Sequence, residues 1–335
     1  MNLQGYNGVM VLAEHKNNVI HNTTYELLNW GRNLADKLGC SLSCAVLGCN
    51  VEGLEELIVR GADRVLYVND AALENFLSRP YTSALAGVVW DEKPEVVVAA
   101  ATTTGRTIMP MVAARLDTGL TADCTVLDIE PGERILLQTR PAIGGNIMAT
   151  IKTPVTRPQM ATVRPKSVRQ APRDESRRGE IINKTIAPAL LRTPEKFVRY
   201  VRDASQEVNI QDADIIVAGG KGLKNKAGFK LVEQLAETLG AGVGATRDAV
   251  DLGWVSYSHQ IGLSGKTVSP KLYIAVGVSG KIQHLAGMQT AEYIVAINKD
   301  PEAQIFKVAD LGILGEASEV VPALIEEIKK AGVNA

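Results

Sequence analysis

The sequence has little net charge, few aromatic residues, few cysteines and no long apolar run, and each shortage removes a class of function. Thirty-six lysines and arginines stand against 37 aspartates and glutamates, a net charge of −1, so bulk electrostatics asks for no nucleic acid. Aromatic residues make up 4%, and no strip of aromatic and basic residues supplies stacking platforms for bases. The four cysteines, Cys40, Cys44, Cys49 and Cys124, lack CxxC spacing, and no further ligand follows at iron–sulfur or zinc distance. They read as buried thiols of a reducing compartment, and no metal site is expected. No apolar run reaches the roughly eighteen residues of a membrane span, and MNLQGYNGVMVLAEH lacks a basic start followed by an apolar core. A cytoplasmic chain without membrane insertion is the expectation.

What is present is a chain of 335 residues with 46% apolar residues, a length that favours two α/β domains, expected at 1–205 and 206–335. In the first, GVMVLAEH (8–15), LSCAVLGC (42–49), RVLYVND (64–70) and EVVVAAATTTG (95–105) read as buried strands. NTTYELLNWGRNLADKLG (22–39), closing on Gly39, VEGLEELIVRGA (51–62) and GRTIMPMVAARLD (105–117) read as helices between and after them. Strands joined by helical crossovers imply a parallel sheet covered on both faces. The pattern then changes: residues 124–141 and 146–154 alternate like antiparallel strands, with PGE as a hairpin turn, expected to extend or cap the first sheet. Residues 157–178 carry seven cations, three prolines and two acids, and read as a solvated connector. A helix-like passage follows at 193–211.

In the second half three apolar runs end at glycine or polar turns: DIIVAGGKG, LYIAVGVSG and YIVAINKD. Helical patterns follow the first two, at 229–240 and 280–288. In an open parallel sheet the crevice beyond the strand C-termini is the ligand site, and all three turns fall along that edge. Glycine lets the main chain approach phosphates, and free N–H groups there receive negative charge. GLSGKT (262–267) is not a nucleoside-triphosphate loop: Gln260 stands where its first glycine belongs, and Pro270 and a strand follow where a helix is required. GGKGLKNKAG (219–228) departs from GxGxxG at Lys221 and Lys224, which counts against a simple nicotinamide dehydrogenase.

The run VGATRDAVDLGW…HQIGLSGKTVSPKLYIAVGVSGKIQHLAGM…VAINKDPEAQIFKVADLGILG closely resembles the FAD-binding domain of the electron transfer flavoprotein alpha subunit. It spans most of 210–325. TTTGRTIMPMVAARL (102–116) and TRPAIGGNIMATI (139–151) look like the same family. The resemblance implies a doubly wound parallel-sheet FAD-binding domain at the C-terminus, an N-terminal domain without nucleotide, and a heterodimer with a beta subunit. It implies that FAD is held by Lys221, Thr246, Arg247, Gln260, Ile261, Gly262, Leu263, Ser264, Ser279, Gly280, Lys281, Ile282, Gln283, His284 and Asn298, with Glu316 near the adenine end. Residue chemistry suits these roles: Ser279, free N–H groups and Lys281 for the pyrophosphate, and Arg247, Ser264 and His284 for tuning the flavin.

Plainer readings stand beside these. Arg247 has Asp248 and Asp251 as surface partners, His284 reads as a capping or core histidine, and Asp310 and Glu316 as helix-start acids. TTTGR (102–106) is assigned to helix capping rather than to an anion cup. The form YSHQIGLSG, with Leu263 and Ser264 where respiratory members carry glutamine and threonine, is similar to members from anaerobes. That form implies oxidation of NADH with electrons split between ferredoxin and an acyl-CoA dehydrogenase. The alternatives are an electron transfer flavoprotein without splitting, an FAD- or NAD-dependent enzyme acting on a small substrate, and a nucleotide-sensing module. No acid–base pair or nucleophile near the glycine turns supports a stand-alone enzyme.

Overall fold

The computed structural model describes residues 5–142, 147–199, 210–211 and 213–332. The chain divides into two compact units, Met1–Arg199 and Tyr200–Ala335.

The first unit opens with β1 (Val9–Leu12), a ribbon of β2 (His15–Lys16) and β3 (Val19–Ile20), and helix α1 (Asn22–Leu38). Then come β4 (Leu42–Gly48), α2 (Leu54–Val59), β5 (Arg64–Asn69), α3 (Ser78–Glu92), β6 (Val96–Ala100) and α4 (Thr103–Arg115). After them run β7 (Leu120–Cys124), β8 (Val126–Ile129), β9 (Leu136–Pro141), β10 (Met148–Ile151), β11 (Gln159–Val163), β12 (Glu180–Asn183) and the short α5 (Pro188–Leu191). Local chemistry sets the helix ends. His21 caps α1 through its ring, and Gly39 closes it in the left-handed region at φ 62°, where a side chain would be strained.

A seven-stranded sheet runs β12-β5-β4-β1-β6-β11-β7, every neighbouring pair parallel. Alternate residues of its strands feed two cores. Val9, Val11, Val46 and Val98 pack with α1 and α2 on one face, and Met10, Leu47 and Val97 with α3 and α4 on the other. This double coverage is why the strands read as unbroken apolar runs.

The structure departs from three expectations, wholly or in part. Of the two outcomes expected for the antiparallel strands, they do not extend the main sheet but cap its α1 side: they form a separate sheet, β10-β9-β8, whose Leu127, Ile129 and Leu136 join the α1 core. Residues 157–178 are no solvated connector: Gln159–Val163 is a fully buried strand between β6 and β7. Its flanking cations are spent within the unit, Arg164 on Asp123 (2.7 Å), Arg173 on Glu56 (3.1 Å) and Arg177 on Asp63 (3.0 Å). Composition averaged over twenty-odd residues hides a five-residue strand. Of the helix expected at 193–211, residues 193–199 are irregular, and 200–209 and 212 lie outside the described residues.

The second unit runs β13 (Ile215–Gly219), α6 (Lys226–Thr238), β14 (Gly242–Ala245), α7 (Arg247–Asp251), β15 (Leu272–Val276), α8 (Ile282–Leu285), β16 (Tyr293–Asn298), β17 (Leu311–Leu314) and α9 (Ala317–Lys330). Its all-parallel sheet has the order β14-β13-β15-β16-β17, so the direction of winding reverses between β13 and β15. Phe229 and Val232 of α6, Ala249 of α7 and Val321 of α9 pack on one face. Ile261, Met288 and Ile305, all outside the α-helices, cover the other. The helix expected at 280–288 is one turn, α8.

Candidate functional site

The strand register brings the ends of all five C-terminal strands to one edge: Gly219 pairs with Ala245 and Val276, Val276 with Ile297, and Asn298 with Leu314. The predicted residues follow directly from those ends. Lys221 lies in the turn after β13, Thr246 and Arg247 follow β14, Ser279 to His284 follow β15, Asn298 ends β16, and Glu316 caps α9 after β17. Gln260 to Ser264 come from farther along the chain, yet Gln260 bridges to Ala245 and Ile261 donates its N–H to Ala245 O (2.9 Å). The sequence-predicted set is therefore assembled along a single crevice edge.

At the reversal between β13 and β15 the backbones nearly touch. A Cβ on Gly220 would lie 2.3 Å from Gly277 O, so the two turns meet through glycine. Gly280 adopts φ 80°, and a Cβ there would fall 2.2 Å from Ile305 N. That turn leaves the N–H groups of Ser279, Gly280, Lys281, Ile282 and Gln283 without an intramolecular partner among the described residues. With α8 only four residues long, these unpaired N–H groups, rather than a macrodipole, make the turn attractive to an anion. No carboxylate among the described residues pairs with Lys221 or Lys281, both exposed.

The Thr246 hydroxyl is buried and has no hydrogen-bond partner among the described residues. An orphaned buried hydroxyl costs about 1–3 kcal/mol, a loss that a ligand able to bond it would relieve. Arg247 makes an exposed pair with Asp251 (3.2 Å), the plainer of its two readings, and an exposed pair of this kind holds a guanidinium weakly. Gln260 is buried and donates its amide to Ser264 Oγ (3.1 Å), so the serine keeps its hydroxyl hydrogen to donate. Gly262 and Leu263 continue the loop: Leu263 N–H bonds Gln283 O (2.8 Å) while its side chain is exposed, like those of Ile282 and Gln283.

His284 has protein partners on both ring nitrogens. Its Nδ1 meets Ile261 O (3.1 Å) and must donate; its Nε2 accepts from the Tyr273 hydroxyl (2.9 Å). Loss of water pushes its pKa down to about 4, so the imidazole is neutral, with both nitrogens spent inside the protein. These contacts suit the plainer reading of a core histidine and tie β15 to the 260–264 loop. Asn298 donates to Val278 O (2.8 Å) and accepts from Asp300 N (3.0 Å), which shapes the turn after β16. Glu316 lies 3.3 Å from both Lys224 and Lys299, and those lysines hold its carboxyl below the usual range. Asp310 accepts from Ile294 N (2.8 Å) and takes no part in the crevice edge. Sequence reasoning missed Tyr257, Tyr273, Lys224 and Lys299, because their partners lie at spacings that no motif encodes.

Free N–H groups, unpaired lysines and an orphaned hydroxyl along one edge are a donor set that fits FAD, a pyrophosphate carrying ring and ribityl acceptors. The comparisons agree. Residues 9–189 match the electron transfer flavoprotein domain, and residues 209–289 match the electron transfer flavoprotein FAD-binding domain. The chain is 48% identical to the electron transfer flavoprotein subunit alpha of Thermoanaerobacterium thermosaccharolyticum, over 98% of this chain and 99% of that one. It is 38% identical to the acryloyl-CoA reductase electron transfer subunit beta of Anaerotignum propionicum, over 99% and 98%. It is 39% identical to the lactate dehydrogenase (NAD(+),ferredoxin) subunit LctC of Acetobacterium woodii, over 97% of this chain and 77% of that one. No helix among the described residues is long and apolar enough to cross a membrane. The cofactor is FAD, and the chain belongs to the electron transfer flavoprotein alpha-subunit family.

Proposed function

We propose that this chain carries FAD in its C-terminal crevice, pairs with a beta subunit, and passes electrons to or from an acyl-CoA dehydrogenase. The observation that carries the reading is the run of five free N–H groups at 279–283, on the same edge as the orphaned Thr246 hydroxyl. FAD, when bound, supplies reversible one- and two-electron transfer. The N–H groups of 279–283, with Lys221 and Lys281, hold the pyrophosphate, and Thr246 gains its missing partner. Arg247 supplies a permanent cation for the flavin, and Ser264 a hydroxyl donor for its N5 edge. Gln260 fixes that hydroxyl, and Ile261 to Leu263 carry the loop. His284 acts as a neutral brace rather than as a charge. Asn298 and Glu316 shape the ribose and adenine end. In this reading FAD is confined to the domain beginning near residue 206, and the domain before it is a scaffold for subunit contact.

We further propose that the heterodimer oxidises NADH and splits the electrons between ferredoxin and the dehydrogenase. Support comes from the YSHQIGLSG loop with Ser264, and from relatives whose names include NAD(+), ferredoxin and acryloyl-CoA reductase. Coexpression with the beta subunit should give a yellow protein with stoichiometric flavin; a colourless one overturns the FAD reading. A mixture of heterodimer, NADH, ferredoxin, an acyl-CoA dehydrogenase and its enoyl-CoA tests splitting. Ferredoxin reduction should require the enoyl-CoA. Reduction without enoyl-CoA, or none at all, rejects splitting and leaves the carrier role standing.

A further inference from the structure

The loop from Gln260 to Lys266 is closed at its base by backbone bonds: Lys266 N–H to Gln260 O (2.7 Å), Gly262 N–H to Lys266 O (3.1 Å) and Gly265 N–H to Gly262 O (3.0 Å). Ser264 stands at its exposed tip, beyond those bonds, and its own N–H has no partner among the described residues. Two side chains hold the tip. Gln260 donates to the Ser264 hydroxyl oxygen, and Tyr257 donates its phenol hydrogen to the Ser264 carbonyl oxygen (2.5 Å). Tyr257 sits in the single turn Tyr257–His259, which is anchored in turn by His259 Nδ1 on Val243 O (2.8 Å) of β14. Tyr257 is 64% exposed and contributes little to the core.

These contacts divide the work at Ser264. The Gln260 bond sets where the hydroxyl hydrogen can point, and the Tyr257 bond sets where the backbone carrying that hydroxyl sits. With either missing, a serine on a glycine-flanked tip regains rotational and backbone freedom, and its donor direction is lost. We infer that Tyr257 is a positioning residue for the flavin: through its bond to the Ser264 carbonyl it fixes the hydroxyl that meets the flavin N5 edge. This rests on the reading of Ser264 as a flavin donor.

The test uses the intact heterodimer and four forms of this chain: native, Tyr257→Phe, Ser264→Ala and the double variant. The readouts are the visible spectrum and reduction potential of the FAD it carries, with melting temperature as the folding control. Phenylalanine removes the hydroxyl and keeps the exposed ring, so the melting temperature should hold. Tyr257→Phe should move the one-electron reduction equilibrium in the same direction as Ser264→Ala, by about three- to tenfold, or ~30–60 mV at 59 mV per tenfold. The double variant should shift no further than Ser264→Ala alone, because both changes remove one donor. If Ser264→Ala shifts the potential while Tyr257→Phe does not, or if the two shifts add fully, the positioning role is wrong and the flavin site stands. If Ser264→Ala itself moves neither spectrum nor potential, the reading of Ser264 fails and takes this inference with it.

Discussion

Both units of this chain are parallel sheets with a crevice where the winding reverses, and they treat that crevice in opposite ways. In the N-terminal unit the reversal lies between β1 and β6, and the unit's own carboxylate fills it. Glu14 accepts from the Thr102 hydroxyl (2.5 Å) and the Gly105 N–H, and Thr102 also caps α4 by accepting that N–H (3.1 Å). The Thr102 hydroxyl and the Gly105 N–H are therefore used within the protein, and Thr102 caps α4 as the capping reading of TTTGR expects. In the C-terminal unit the two turns at the reversal leave five N–H groups and two lysines without a partner among the described residues. The fold is shared; the difference is a handful of strand-end residues. Architecture supplies the crevice, and those residues decide whether it is plugged or left open for a ligand.

The comparison can be broken at either end. The largest effect is expected from Gly280→Ala. A methyl group there meets the Ile305 backbone at 2.2 Å and must also adopt φ 80°, so the open turn cannot keep its shape. FAD binding should be lost, read as flavin absorbance per chain, while the N-terminal unit stays folded.

Glu14→Gln should come next. Removal from water pushes the Glu14 pKa from 4.5 up to about 7. A raised acid pKa means that the folded chain holds the proton more tightly than the unfolded chain. The resulting stability is fully present below about pH 4.5, declines as pH rises, and is gone above about pH 7. The span corresponds to at most about 3 kcal/mol. Glutamine keeps both contacts without the charge, so the variant should be more stable at pH 8, unchanged near pH 4, and unaltered in FAD content. Denaturant unfolding across that pH range is the check.

How far the sequence alone reaches also differs between the units. Both glycine turns of the C-terminal site, at 219–222 and 277–280, are legible because glycine marks close approach of backbone, as the Gly220–Gly277 contact bears out. The alternating strands at 124–154 are legible in type, but not in the sheet they join, since pairing partners leave no local signal. β11 was hidden by its arginine and proline flanks, and its partners β6 and β7 precede it by dozens of residues. The tautomer of His284 depends on Tyr273 and Ile261 converging in space, so no residue pattern could reveal that its ring is spent. The same holds for Glu14, which reads as an ordinary strand-end acid until Thr102 and Gly105 are brought beside it.

A smaller effect sharpens the contrast between structure and redox tuning. Arg247→Ala removes an exposed pair with Asp251, so stability should change by less than about 1 kcal/mol. If Arg247 acts on the flavin, the potential should nonetheless fall by tens of millivolts, with 59 mV marking each tenfold change in a one-electron couple. Redox titration beside thermal melting separates the two. An unchanged potential leaves Arg247 as a surface ion pair.

The most direct test of the central claim is photolabelling of the loaded protein with an azido-flavin analogue of FAD, followed by peptide mapping of this chain. The account predicts label within residues 244–298, with Gly280→Ala removing it and Glu14→Gln leaving it intact. Label concentrated in residues 1–199 would contradict the claim that the open C-terminal crevice, and not the plugged N-terminal one, holds the cofactor.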